Sequence, residues 1–224
     1  MKQLKNYLSI LSMLLLLLTF ASCTNEKSNT ENVAENESEN GYEYVDLGLP
    51  SGIKWATCNV GANSPEEYGD YFAWGETQPK DKYTWSTYKY CTDSYYCTVD
   101  NKTTLDLEDD AAHVNWGGKW RMPTSAEQDE LRDTNNCTWE WTTLNGVEGY
   151  KVISKKNGNS IFLPAAGRRD YDGLIGAGNV GHYWSSSLDA DRSCNAYKLY
   201  FSSSIVDWRV NNRYSGYSVR PVCE

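Results

Sequence analysis

From Tyr42 to Cys223 the hydrophobic and polar positions alternate mostly with the two-residue period of strands, interrupted once by a helical period. "YEYVDLGLPSGIKWATCNVGA" reads as two short strands around the turn Pro50-Ser51-Gly52. "YGDYFAWGET" is a second aromatic, Gly-punctuated segment. Thr77 to Asp100 is polar and Tyr-rich with no clear period, and reads as a long loop or irregular insertion. The pattern then changes. Leu107, Ala111 and Val114 recur at helical spacing behind the acids Glu108, Asp109 and Asp110, which complement a helix dipole, and Gly117-Gly118 ends the run. In "MPTSAEQDELRD", Thr124 and Glu127 have the spacing of a capping box, so a short helix is predicted over about 125–133.

The remainder reads as β-structure. "WEWTT" and "GYKVIS" flank the turn pair Asn145-Gly146, and Asn157-Gly158 offers a second turn before "SIFLPA". "YWSSS", "AYKLYF", "SIVDWRV" and "YSVRPV" follow as four more strands. In "AYKLYF", Tyr197, Leu199 and Phe201 share one face and Ala196, Lys198 and Tyr200 the other. The layout predicts an α+β class: two short helices and a mainly antiparallel sheet with long loops.

The N-terminus adds an export signal. Lys2 and Lys5 precede an apolar run from Leu8 to Ala21, which is shorter than the ~20 residues a spanning helix needs. It ends in "FASC". This resembles a bacterial lipoprotein signal over residues 1–22 with Cys23 as the lipidated residue, although Phe20 stands where Leu is commoner. Residues 23–41 are acidic and nearly devoid of apolar side chains, the composition of a flexible tether. The domain is then expected over 42–224, lipid-anchored in the outer membrane and exposed at the cell surface.

Charge narrows the partners. The net charge is −9 and becomes more negative once Lys2 and Lys5 are removed with the signal, which argues against nucleic acid. The 17 Tyr and 9 Trp against only 4 Phe favour rings with a polar edge, which suit recognition surfaces as well as half-buried strands. Cys58, Cys91, Cys97, Cys137, Cys194 and Cys223 remain in the exported domain. They are either disulfides, with Cys91 and Cys97 near enough to close a small loop, or buried thiols. None has Cys-x-x-Cys spacing, so no thiolate metal site is expected.

At "YVDLGLPSGIKWATCNVGA", "GDYFAWGET", "DDAAHVNWGGKWRMPT", "GNSIFLPAAG" and "YWSSS…SVRPV" the chain resembles the Fibrobacter succinogenes major paralogous domain family, from about residue 42 to 223. The resemblance implies a C-type lectin-like fold and no established enzymatic role. The Glu-Pro-Asn and Trp-Asn-Asp motifs of calcium-dependent sugar binding are absent, so the resemblance implies neither that metal site nor any cofactor.

The tail also resembles the variable region of proteins diversified by retroelements. Scaffold positions would be Tyr183 to Ser187; Ala196, Tyr197, Leu199 and Phe201; and Arg213, Tyr214, Gly216 and Ser218 to Pro221. The resemblance implies ligand binding through the positions between them: Asp189, Asp191, Arg192, Cys194, Lys198, Tyr200, Ser202, Asp207, Arg209, Val210, Asn211 and Ser215. His182 would add a further contact. Every one of those twelve except Lys198 is reachable from an Asn codon altered only at its adenines. The implied ligand is a protein or glycan on another cell, a phage or a host. The alternatives are a fixed structural or adhesion component of the envelope and, with less support, an enzyme.

The case for catalysis is thin. His113 and His182 lie far apart in sequence without a metal-type motif, and helix capping explains Glu108, Asp109 and Asp110. Arg168, Arg169 and Asp170 read most simply as a loop ion pair, with contact to an anionic ligand as the lesser alternative. No nucleophile elbow or Gly-rich phosphate loop is present.

Overall fold

A computed structural model of the chain describes residues 37–93, 96–97 and 102–224. The signal, Cys23 and most of the tether lie outside the described residues. The first sheet has the order β1-β2-β3-β14, from β1 (Ser38–Glu39), β2 (Tyr42–Asp46), β3 (Lys54–Ala56) and the final strand β14 (Val222–Cys223). Strand β1 thus lies before Tyr42, inside the segment read as tether. Trp120 Nε1 donates to Glu39 O at 2.7 Å, and Asn40 Nδ2 donates to Trp116 O.

In the Tyr-rich insertion, a 3-10 turn at Trp85–Thr87 precedes the hairpin of β4 (Cys91–Asp93) and β5 (Tyr96–Cys97), whose register sets Cys91 opposite Cys97. Helix α1 (Ala111–Trp116) and helix α2 (Ser125–Arg132) follow. Helix α1 is shorter and turned differently from the sequence expectation. Leu107 lies in a separate 3-10 turn, and Leu107 and Val114 are exposed, whereas Ala111, Ala112 and Trp116 are buried. Two contacts explain the rotation. Asp110 caps the helix by accepting from Ala112 N and His113 N, and Trp116 stacks on Tyr42 with centroids 3.9 Å apart. Burying an indole against two aromatic neighbours outweighs burying Val114. In α2 the predicted capping box is present, with Thr124 and Glu127 exchanging bonds at 3.2 and 2.8 Å.

The hairpin of β6 (Cys137–Leu144) and β7 (Val147–Ser154) turns at Asn145 and Gly146, both at positive φ as a two-residue turn of this kind requires. Strand β8 (Ser160–Pro164) completes that sheet. A small hairpin, β9 (Arg168–Asp170) with β10 (Gly173–Ile175), leads to the closing sheet of β11 (Val180–Leu188), β12 (Asn195–Ser202) and β13 (Ile205–Asn212), all antiparallel. The predicted strand "YSVRPV" is regular only at Val222–Cys223. Before that the chain runs as single bridges to changing partners, Phe72 to Tyr217, Arg169 to Gly216 and Tyr183 to Ser218. No single neighbour continues long enough to build a ladder, and Pro221 has no N–H to donate.

The fold is therefore α+β, mainly antiparallel with two short helices. Strand β11 divides its core by simple alternation. Tyr183 faces one cluster with Leu131, Val152, Leu199 and Phe201, while Trp184 faces another with Trp74, Trp116, Trp120 and Tyr217. The buried indoles of Trp184 and Trp74 find backbone acceptors, whereas Trp55 Nε1 has no hydrogen-bond partner among the described residues. Trp184 Nε1 donates to Phe72 O at 2.8 Å, and Trp74 Nε1 to Ser185 O at 2.9 Å. Among the described residues no helix is long and apolar enough to cross a membrane.

Candidate functional site

The register of the closing sheet decides which predicted positions meet. Tyr200 lies opposite His182 on one side and Asp207 on the other, Lys198 opposite Trp184 and Arg209, and Ala196 opposite Asn211. Directly paired residues share a face, so His182, Lys198, Tyr200, Arg209 and Asn211 converge. Residues 213–221 cross this face and bring Tyr217 over its middle. Lys198 Nζ lies 2.7 Å from His182 Nδ1 and donates to Tyr217 Oη at 3.1 Å. Asn211 Nδ2 donates to the same hydroxyl. The His182 ring stacks on Tyr217 at 5.0 Å and meets Tyr200 edge-on at 5.1 Å. Across Tyr200 lies the Arg209 guanidinium, 3.8 Å from the ring centroid, a cation–π distance.

The electrostatics of this cluster are unusual for an acidic protein. Burial lowers the Lys198 ammonium from the ordinary lysine range to about 7, and Arg168 and Arg209 push in the same direction. Burial, then Lys198, Arg168 and Arg209, hold His182 far below its ordinary value, so the ring is neutral. Burial pushes the Tyr217 hydroxyl up to about 12, so it stays protonated. The nearby carboxylates do little to offset the cations. Asp170 pairs with Arg168 at 4.0 Å and its Oδ1 has no hydrogen-bond partner, while Asp207 turns to Arg132 of α2 at 3.4 Å.

The other predicted positions lie elsewhere. Asp191 and Arg192 are exposed in the loop before β12, where Asp189 accepts from Asp191 N and pairs with Arg192 at 3.4 Å. Cys194 is half-buried against the cluster of Tyr71, Tyr83 and Tyr88. Ser202 ends β12 and its carbonyl accepts from Tyr150 Oη. Val210 lies opposite Tyr197 on the reverse face. Three positions expected to point outward are buried: Asp189, Lys198 and Ser215. Asp189 is drawn in because its carboxylate organises the loop. Lys198 is covered by the crossing segment and Ser215 is buried within it, and the Tyr217 hydroxyl contacts both.

Sequence reasoning missed Tyr217, which counted as neither scaffold nor variable position, and read Arg168 first as part of a loop ion pair and only second as a contact for an anionic ligand. The alternation of "AYKLYF" marks the Lys198 face but carries no sign of what crosses it. Among the described residues no three His, Cys, Asp or Glu side chains gather as a metal site. Compared with known protein families, curated proteins and solved structures, the chain matches none.

Proposed function

We propose that this chain is a lipid-anchored surface protein of the bacterial outer membrane that recognises a ligand through the Lys198 face of its closing sheet. The single observation that carries this reading is the Lys198–His182–Tyr217 contact beside Arg209 and Tyr200. Burying a charged group without a full counter-charge costs stability, and nothing in the packing of either core requires an amine there. A recognition role gives that cost a purpose. The motifs that resemble those of the major paralogous domain family support a C-type lectin-like fold, and the basic-then-apolar leader ending at Cys23 supports the anchor.

Diversification belongs to the same reading. Asp191, Arg192 and Arg209 are exposed, so their replacement leaves both cores intact. The ligand is a protein or glycan of another cell, a phage or a host, and no turnover is involved.

The test displays the full-length chain on cells and screens glycans and surface extracts against it and against Tyr200→Ser/Arg209→Ser. Capture lost in the double variant supports the reading; capture unaffected by it rules this face out. Sequencing the codons for residues 179–223 across a natural population addresses diversification. Changes confined to the named codons, beside a near-copy repeat and a reverse transcriptase, are expected. An invariant tail removes that part of the proposal.

A further inference from the structure

The Lys198 face is rich in donors and poor in acceptors. A charged Lys198 has three N–H donors, of which His182 Nδ1 and Tyr217 Oη accept two. Accepting at Nδ1 puts the proton of the neutral imidazole on Nε2, and this buried atom has no hydrogen-bond partner among the described residues. Arg209 stacks on Tyr200 and makes no hydrogen bond or ion pair among them either. These donors surround one ring: the Arg209 guanidinium is 3.8 Å from the Tyr200 centroid, the His182 ring 5.1 Å and Lys198 Nζ 6.0 Å. Arg168 adds positive potential from β9, offset in part by Asp170 at 4.0 Å, whose Oδ1 has no hydrogen-bond partner among the described residues, while Asp207 is engaged with Arg132.

We infer that the ligand presents an anionic oxygen group, a carboxylate or a phosphate, to Lys198, His182 and Arg209 beside the Tyr200 ring. This rests on the recognition role proposed above and narrows its ligand to an acidic one. An oxyanion supplies acceptors to all three side chains and the counter-charge that Lys198 lacks. It also holds Lys198 protonated. Because Lys198 otherwise loses its proton near pH 7, binding takes up a proton and weakens as pH rises beyond that value. The groups facing Lys198 do not confuse this reading: His182 stays neutral and Tyr217 stays protonated, and the charged neighbours are the guanidinium groups of Arg168 and Arg209.

The experiment titrates the full-length chain with sodium acetate and with inorganic phosphate, against sodium chloride at matched ionic strength, by calorimetry and thermal shift. Saturable binding of acetate alone identifies a carboxylate site and of phosphate alone a phosphate site; both support the inference. Lys198→Met and the exposed Arg209→Ser should each weaken binding by roughly tenfold or more, the cost of one charge-assisted bond. Acetate, whose charge is constant through neutral pH, should bind more weakly at pH 8 than at pH 6, and Lys198→Met should abolish that difference. The inference is overturned if neither anion binds beyond the chloride control, or if both variants bind as the parent does. Ligand capture that persists without anion binding would leave the recognition role standing and remove only the acidic ligand. Anion binding without capture would do the reverse.

Discussion

Arg220 Nε donates to Asn59 Oδ1 at 2.8 Å, joining the end of the chain to its first strands across 161 residues. The guanidinium also donates to the carbonyls of Ala56, Thr57 and Phe162 at 2.8–3.0 Å. It is fully buried among neutral acceptors, and the donor fork of arginine matches their spread. A lysine has too few donors and the wrong geometry, so Arg220→Lys leaves buried carbonyls unpaired. The expected loss is about 3–5 kcal/mol, the range for breaking a buried charged network, measured by urea denaturation. A variant within 1 kcal/mol of the parent, on the order of a surface substitution, would show that water replaces these bonds.

Lys198 gives stability a distinctive pH dependence. Its folded value of about 7 lies below that of an unfolded lysine. Below pH 7 both states are protonated and the cost of burying the charge is fully present. As pH rises from 7 toward the ordinary lysine range, the folded chain releases the proton while the unfolded chain keeps it, so stability increases. Lys198→Met should therefore stabilise the chain at pH 6, on the order of 2 kcal/mol or more, and flatten the slope between pH 7 and 9. Denaturation midpoints across that range decide the matter. Equal slopes in parent and variant would mean that Lys198 is solvated.

Much of this fold is legible locally and much of the site is not. The Thr124–Glu127 capping box and the Asn145-Gly146 turn follow from sequence because each is satisfied within four residues. Alternation in "AYKLYF" likewise sorts Leu199 and Phe201 from Lys198 and Tyr200. It cannot reveal that residues 213–221 return over the second face, so Lys198 looks like a surface residue and Tyr217 like filler. The stripe of Leu107, Ala111 and Val114 misleads for a related reason. The orientation of α1 is set by Trp116 meeting Tyr42 and Trp120, contacts with distant segments that no local period encodes.

Gly181 marks a position where the sheet tolerates no side chain. It lies opposite Phe201, and a Cβ built there would stand 2.1 Å from the phenyl Cζ. Its backbone needs no left-handed conformation, so the restriction is one of space. Gly181→Ala forces Phe201 out of contact with Trp139, Tyr150 and Tyr183, with an expected cost of about 1–3 kcal/mol or more. Gly173→Ala is the control, since its nearest atom would be 3.7 Å away, and should stay within about 0.5 kcal/mol. Parallel denaturation of the two variants tests the contrast, and similar losses would contradict it.

Glu127 links helix α2 to Arg121, which bridges to Val222 from the segment between the two helices, and should be a point of acid sensitivity. Arg121 holds its two oxygens with bonds of 2.8 and 2.6 Å, and Thr124 N donates to Oε2 at 2.8 Å. Burial alone would raise this carboxyl, but Arg121 and Thr124 overcome it and hold the group below the usual carboxylate range. A lowered folded value means that the stabilisation is complete above the unfolded value, about 4.3, and is lost as pH falls through the folded one. Glu127→Gln keeps a capping side chain but gives up the charged pair, so it should weaken the chain at pH 7 and reduce the further loss between pH 5 and 3. Thr124→Ala should cost about 1 kcal/mol with the acid profile otherwise retained, because it removes the cap and leaves the Arg121 pair in place. Denaturation midpoints from pH 3 to 7 for the three proteins separate cap from pair. Identical acid profiles for parent and Glu127→Gln would mean that another carboxylate controls acid unfolding.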